Sequence, residues 1–305
     1  MPDIYTIGEV LVAFITKDVD SVEFSKEFTL AIAGAEANVA VGATRLGLDV
    51  ALQSRVGKDL LGTVVLNHLS AEAVKVDLMK RSDRFTGTMV RNQGNTNPID
   101  VSYLREGSAA SEMQPDHINI EALLASQWLH VTGITCAISK SAQETVKTAM
   151  QLAKNGMVKT SFDLNIRKKL WSSEDARAAL LPLMKDVDLL IGGVSEFELV
   201  FSDQDPEINL RRAAELGIST AIMTDGPNLM RISQVGERFN YTPITRATVD
   251  PVGSGDAFVA GLLSGLIGGL TLPSAVAQGS ECGSLVASNV GDWTGLPYGT
   301  KGVMK

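Results

Sequence analysis

The chain has 305 residues, 45% of them hydrophobic and 20% charged, and carries a net charge of −8. That length holds one large α/β domain with a small appendage or two modest domains, and the composition excludes a disordered or fibrous chain. With 35 acidic against 27 basic residues and no Lys/Arg block, the chain lacks a footprint for a nucleic-acid backbone or an anionic membrane, and a small-molecule partner is expected.

Cys136 and Cys282 lie far apart without C-x-x-C spacing and read as packed, reduced thiols. Three histidines (His68, His117, His130) are too scattered for a zinc cluster. The first residues have neither a basic region nor a long apolar core, so no secretory signal is read there. The most apolar run, residues 257–270, has 14 residues and four glycines, which suits a buried helix rather than a membrane span. A cytoplasmic location is expected.

In chain order, residues 4–15 form a β-rich opening broken at Gly8, and residues 17–28 read as an exposed strand pair. A small-residue helix follows Gly34 and stops at Leu46-Gly47, then a strand is expected over 50–56 and a helix over 58–71. Residues 86–105 are polar with β character and carry turn material at Gln93-Gly94-Asn95-Thr96-Asn97-Pro98, which predicts a hairpin outside the core. Strands are then expected over 128–132, 159–164, 188–191 and 220–224. Helices over 140–154, 173–185 and 207–216 separate them, and two more close the chain over 254–270 and 273–288. Such alternation predicts an α/β fold: a three-layer α/β/α core with a mostly parallel sheet. The two early polar β stretches, about 12–32 and 86–106, group as a small β-sheet lid over a single core domain, 1–305.

The strongest chemical signal is Asp250-Pro251-Val252-Gly253-Ser254-Gly255-Asp256, followed at once by an apolar helix. Glycines at 253 and 255 let backbone N–H groups converge on one point, and the helix behind adds the positive end of its dipole. Such a turn suits the charge that develops on a transferred phosphoryl group, and Asp256 in the first helical turn is placed to take a proton from a hydroxyl. On spacing alone the segment reads equally well as a tight strand-to-helix turn with an Asp cap.

A second motif breaks that tie. Ala33-Gly34-Ala35-Glu36-Ala37-Asn38-Val39-Ala40, with Gly47 and Val56-Gly57-Lys58-Asp59-Leu60-Leu61-Gly62, resembles the N-terminal signature of the PfkB, or ribokinase-like, carbohydrate kinases. Residues 250–263 resemble that family's C-terminal signature, about 200 residues on. The resemblance implies Asp256 as base, Gly253, Ser254 and Gly255 as the anion hole, and Gly34 and Asn38 as contacts to sugar hydroxyls. It also implies ATP and Mg²⁺. In many relatives a monovalent cation such as K⁺ lies beside the anion hole, and Asp250 with the backbone around Val252, Ala287 and Gly291 resembles its ligands.

Within the family the chain resembles 2-keto-3-deoxygluconate kinases. Gly8-Glu9-Val10-Leu11-Val12, Tyr103-Leu104-Arg105-Glu106-Gly107-Ser108, Asp163-Leu164-Asn165-Ile166-Arg167 and Gly291-Asp292 carry that likeness. It implies that Tyr103 and Arg105 reach the substrate from the lid, that Arg167 lies near substrate and phosphate, and that Asp292 bonds a substrate hydroxyl. Two arginines suit an acidic sugar because a guanidinium binds carboxylate in a fork.

The family's Asn-x-x-Glu motif, linked to magnesium and phosphate, reads Ser195-Glu196-Phe197-Glu198 here, so Glu198 is expected to act on Mg²⁺ indirectly. Asn165, Ser195, Thr224 and Gly226 are expected on the nucleotide. Leu229 stands where the second glycine of Gly-x-x-Gly belongs, Gly279 where relatives often carry Asn near the adenine, and Met89 where 2-keto-3-deoxygluconate kinases often place Tyr. Two alternatives stay open: a kinase for a neutral, fructose-like sugar or a nucleoside, and a sugar-binding protein with little turnover. A lid sheet with free edges suggests a homodimer or higher homo-oligomer.

Overall fold

The computed structural model describes residues 1–94 and 98–299. The expected turn at Asn95-Thr96-Asn97 lies outside the described residues. The strands are β1 (Ile4–Ile7), β2 (Leu11–Thr16), β3 (Phe28–Ala33), β4 (Val50–Gly57), β5 (Met79–Ser82), β6 (Thr88–Arg91) and β7 (Val101–Leu104). After them come β8 (Trp128–Thr132), β9 (Lys159–Asp163), β10 (Leu189–Gly193), β11 (Thr220–Thr224), β12 (Met230–Gln234) and β13 (Glu237–Tyr241). The helices are α1 (Ala35–Arg45), α2 (Leu60–Ala71), α3 (Ile120–Leu124), α4 (Gly133–Ile138) and α5 (Lys140–Asn155). They continue with α6 (Ser173–Leu180), α7 (Val194–Phe201), α8 (Pro206–Glu215), α9 (Ser254–Ile267) and α10 (Leu272–Ala287).

The chain divides into two compact units: residues 1–7 with 114–243, and residues 8–113 with 244–305. In the first, β1, β8, β9, β10 and β11 are parallel neighbours, as the alternation of strands and helices predicts. All five residues of β8 are buried, the mark of a strand covered on both faces. β12 and β13 extend this sheet antiparallel to β11. They are joined by Val235-Gly236, both at positive φ (48° and 87°), the twist that a two-residue hairpin turn requires. The helix expected over 173–185 ends as α6 at Leu180 and tightens into a 3₁₀ turn over Leu181–Asp186, because Pro182 has no N–H to continue the α ladder.

In the second unit β4 and β5 pair in parallel, and a separate four-stranded sheet runs β3-β2-β6-β7. β2/β3 and β6/β7 are antiparallel and β2/β6 parallel. Strand alternation puts Leu11, Ala13, Ile15, Ala31, Ala33, Met89, Val101 and Tyr103 on one packed face. Phe28, Leu30 and Leu104 are exposed on the other. The strand pair expected over 17–28 is not formed: residues 17–27 are turns and bends held by Asp18, which accepts from Ser25 and from the Lys26 N–H.

α1, α9 and α10 bundle through small residues. A Cβ at Gly42 would lie 2.6 Å from the Ala260 methyl, and one at Gly279 would lie 2.6 Å from the Phe258 carbonyl oxygen. The backbones therefore touch, with no room for side chains between them.

Candidate active site

In the second unit, the turn before α9 sets the geometry. Gly253 sits at φ +81°, and a Cβ there would collide with the carbonyl of Asp292, so this glycine is demanded both by conformation and by a close backbone approach. Gly255 is the opposite case: a Cβ would meet nothing within 4 Å. Gly253 caps α9 with no side-chain cap, and the Ser254 hydroxyl donates back to the Pro251 carbonyl at 2.7 Å. The α9 N-terminus therefore presents its N–H groups beside an unobstructed space, an anion-binding arrangement.

Asp256 lies in the first turn of α9, buried, with its Oδ2 accepting from Asn38 Nδ2 at 2.7 Å. The same Asn38 amide reaches Asp292 Oδ2 at 3.3 Å, so one side chain of α1 links two carboxylates. Asn38 is brought there by Gly34, the α1 N-cap at φ +137°, where a Cβ would run into the Glu9 carbonyl. Gly34 thus has a backbone reason to be glycine beside its expected sugar contact. Asn38 Oδ1 and Asp292 Oδ1 are buried with no hydrogen-bond partner among the described residues. Burial pushes the Asp292 carboxyl up to about 6, against the attraction of Arg91 and the Asn38 hydrogen bond.

Asp250 is fully buried, and both of its carboxylate oxygens accept hydrogen bonds. Oδ1 accepts from the Val252 N–H at 3.1 Å; Oδ2 accepts from the Gly291 N–H at 3.1 Å and from Arg91 Nη2 at 2.6 Å. Arg91, on β6, is itself 0% exposed, and its Nη2 lies 3.7 Å from Asp292 Oδ1. The Ala287 carbonyl accepts the N–H groups of Val249 and Asp250. The Arg91 guanidinium already brings to Asp250 the positive charge that a monovalent cation would supply, and a cation beside it would meet like charge. The group does not fit. Breaking such a buried pair by removing one partner costs about 3–5 kcal/mol, whereas an apolar replacement of both is often neutral, so stability alone does not account for it.

Arg105 is 8% exposed and stacks over the Tyr103 ring at 5.2 Å. Its Nε and Nη2 both bond to Glu9, at 2.7 and 2.5 Å, and Ser108 donates to the other Glu9 oxygen at 2.6 Å. Met89 packs beside Tyr103 on the same sheet face, so the position carries an apolar side chain in the cluster. Asp59, from the N-terminal signature, caps α2 through the Gly62 N–H and holds the Thr86 N–H and hydroxyl, a structural joint just before β6.

In the first unit, Arg167, Lys168, Ser195 and Glu198 line one cleft of about 840 Å³. Glu196, between the two motif residues, ties its loops together: its carboxylate accepts the Ile166 N–H at 2.6 Å and the Gly193 N–H at 2.7 Å. Asn165 holds positive φ (36°) with its N–H on Asp163, which turns the chain out of β9. The Thr224 hydroxyl reaches the Gly192 carbonyl at 3.3 Å, and Gly226 (φ +54°) opens the turn closed by the Asn228 N–H on Asp225. Leu229 is 37% exposed at the end of that turn. Among the described residues no group of three or more His, Cys, Asp or Glu is placed to hold a metal. Glu198 is exposed in this cleft, as is Glu174 on α6.

Sequence reasoning did not single out Arg91, Glu9 or Glu196 as site residues. Arg91 shares a strand face with Met89 and Tyr103, and that alternation was the available signal.

The pfkB family carbohydrate kinase model matches residues 1–298, and the chain belongs to that family. It is 31% identical over 293 residues to a 2-dehydro-3-deoxygalactonokinase of Haloferax volcanii, covering 95% of this chain and 92% of the relative. It is 30% identical over 311 residues to a 2-dehydro-3-deoxygluconokinase of Bacillus subtilis, covering 97% and 92%. The crystal structure of a PfkB protein from Polaromonas sp. JS666 superposes with a TM-score of 0.89 at 30% identity, covering 98% of each chain. The fold is therefore ribokinase-like, and the protein is a sugar kinase by family. No helix among the described residues is long and apolar enough to cross a membrane.

Proposed function

We propose that this chain is an ATP-dependent kinase that phosphorylates a primary hydroxyl of a sugar acid such as 2-keto-3-deoxygluconate, with Asp256 as the base. The observation that carries the reading is Asp256 itself: buried at the start of α9, held by Asn38, and next to a glycine turn with open space at Gly255. A carboxylate so held takes the proton of a substrate hydroxyl as the hydroxyl oxygen bonds to the γ-phosphorus and the bond to the bridging oxygen breaks, releasing ADP, while the N–H groups of 253–255 meet the charge on the phosphoryl oxygens. Asn38 Oδ1, buried without a hydrogen-bond partner among the described residues, and Asp292 Oδ1, 3.7 Å from Arg91 Nη2, are the acceptors that a polyhydroxylated ligand uses in this reading. Gly34, Tyr103 and Arg105 complete the sugar contacts in this reading, and Arg167 meets substrate or phosphate. Asn165, Ser195, Thr224 and Gly226 bind the nucleotide, and Glu198 orients Mg²⁺ through water. When bound with the nucleotide, Mg²⁺ would supply neutralisation of the phosphate charge.

The substrate class rests on the two relatives above, since 2-dehydro-3-deoxygluconate is 2-keto-3-deoxygluconate and the galacto compound its epimer. A neutral sugar is the second reading, favoured by one observation: Glu9 occupies the Nε–Nη2 fork of Arg105 and cancels its charge. We place the enzyme in the cytoplasm, paired through the four-stranded sheet, whose outer face exposes Phe28, Leu30 and Leu104. Light scattering on the purified protein is expected to give a dimer.

The deciding experiment is ADP release with Mg-ATP across 2-keto-3-deoxygluconate, its galacto epimer, gluconate, fructose, ribose and a nucleoside. Turnover confined to the keto-deoxy acids supports the first reading. Turnover on fructose alone moves the assignment to the second, and silence throughout overturns both.

A further inference from the structure

We propose that Arg91 is the built-in counter-ion of the turn before α9 and stands in for a monovalent cation, so that this enzyme works without K⁺. The inference rests on the kinase reading for its consequence, but its geometry stands by itself. A fully buried carboxylate needs compensation, and Asp250 has one cation within reach among the described residues, the Arg91 guanidinium at 2.6 Å. That guanidinium also lies 3.7 Å from Asp292, and its Nη1 donates to the Asn92 carbonyl at 3.1 Å. It is thus fixed at two points and faces both carboxylates.

The pair does positional work. Asp250 holds the Val252 N–H, one residue before Gly253, and the Gly291 N–H, one residue before Asp292. The peptide units entering the glycine turn and the Asp292 loop are therefore oriented by one carboxylate, to which Arg91 is bonded. A mobile cation would do this electrostatically and would have to be bound from solution. A guanidinium carried on β6 does so with no binding step, and its donors are directional.

The test compares wild type and Arg91→Ala in 100 mM KCl and in choline chloride at equal ionic strength. Two readouts are followed: thermal midpoint, which needs no substrate, and kcat for ADP release. For the wild type, midpoints within about 1 °C and rates within twofold between the salts are expected. A K⁺-dependent rise in midpoint beyond that, or a larger gain in rate, overturns the proposal. In Arg91→Ala the exposed charge of Asp250 makes K⁺ raise the midpoint and the rate more than in wild type; an equal response in both proteins also overturns it. Should the variant fail to fold, the wild-type arm still decides. Should no sugar be turned over, the kinase reading falls while the midpoints continue to test Arg91.

Discussion

The turn before α9 and the cleft beside α7 treat charge in opposite ways. Around the turn, Asp250, Asp256, Asp292 and Arg91 are all buried, and each has a named partner on another element. In the cleft, Arg167, Ser195 and Glu198 are exposed, and the Arg167 guanidinium has no ion pair among the described residues. Buried groups whose orientation is settled in advance act on a reaction with little reorganisation, whereas exposed side chains recruit a charged ligand and are screened by salt. The contrast separates groups suited to chemistry from groups suited to binding.

The sharpest way to break it is Asp256→Asn. The exchange keeps the shape and removes the base, so kcat is expected to fall by about 10³-fold while substrate affinity by calorimetry changes little. Near-normal turnover would remove Asp256 from the chemistry. Arg167→Ala tests the other region and should be milder: KM for substrate or ATP rises by about tenfold, kcat stays within about threefold, and the loss shrinks at high salt. A large kcat defect would mean that the exposed arginine acts in the transition state.

The smallest effect concerns stability alone. His130 on β8 is completely buried, and burial drives its pKa down to about 3 from 6.5. Above pH 6.5 it is neutral folded or unfolded and contributes nothing to the pH dependence. As pH falls below 6.5 the unfolded chain takes up a proton that the folded chain refuses, so stability declines by up to about 1.4 kcal/mol per unit until about pH 3. Urea unfolding at pH 7, 6 and 5 reads this slope. His130→Asn should flatten it without changing the activity at pH 7.5, and an unchanged slope would assign the acid sensitivity elsewhere.

Which features were legible follows from how local their causes are. β8 and β11 match their expected bounds because each is a short run of mostly buried residues, a pattern carried by neighbours in sequence. The β12–β13 hairpin escaped notice because its turn is Val235-Gly236, and Val at positive φ is imposed by the strands rather than advertised by an Asn-Gly pair. Residues 17–27 have alternating charge but no partner strand, and Asp18 turns them instead. At the site, the Gly253–Asp256 turn and Asn38 were visible as motifs. Arg91 was not: a lone arginine in a polar β stretch reads as a surface ion pair, and its partner Asp250 is 159 positions away. Glu9 gives no local sign of its hold on Arg105, which spans 96 positions.

The contact of α9 with α10 has an evolutionary consequence. Gly279 faces the Phe258 carbonyl so closely that any side chain there must first part the two helices. The Asn that relatives often carry at this place is therefore not one mutation away. Grafting it alone onto this chain would cost folding before it altered nucleotide choice, so the helix spacing would have to change first. Position 279 is an epistatic lock: a side chain there becomes tolerable only after the spacing of α9 and α10 has changed.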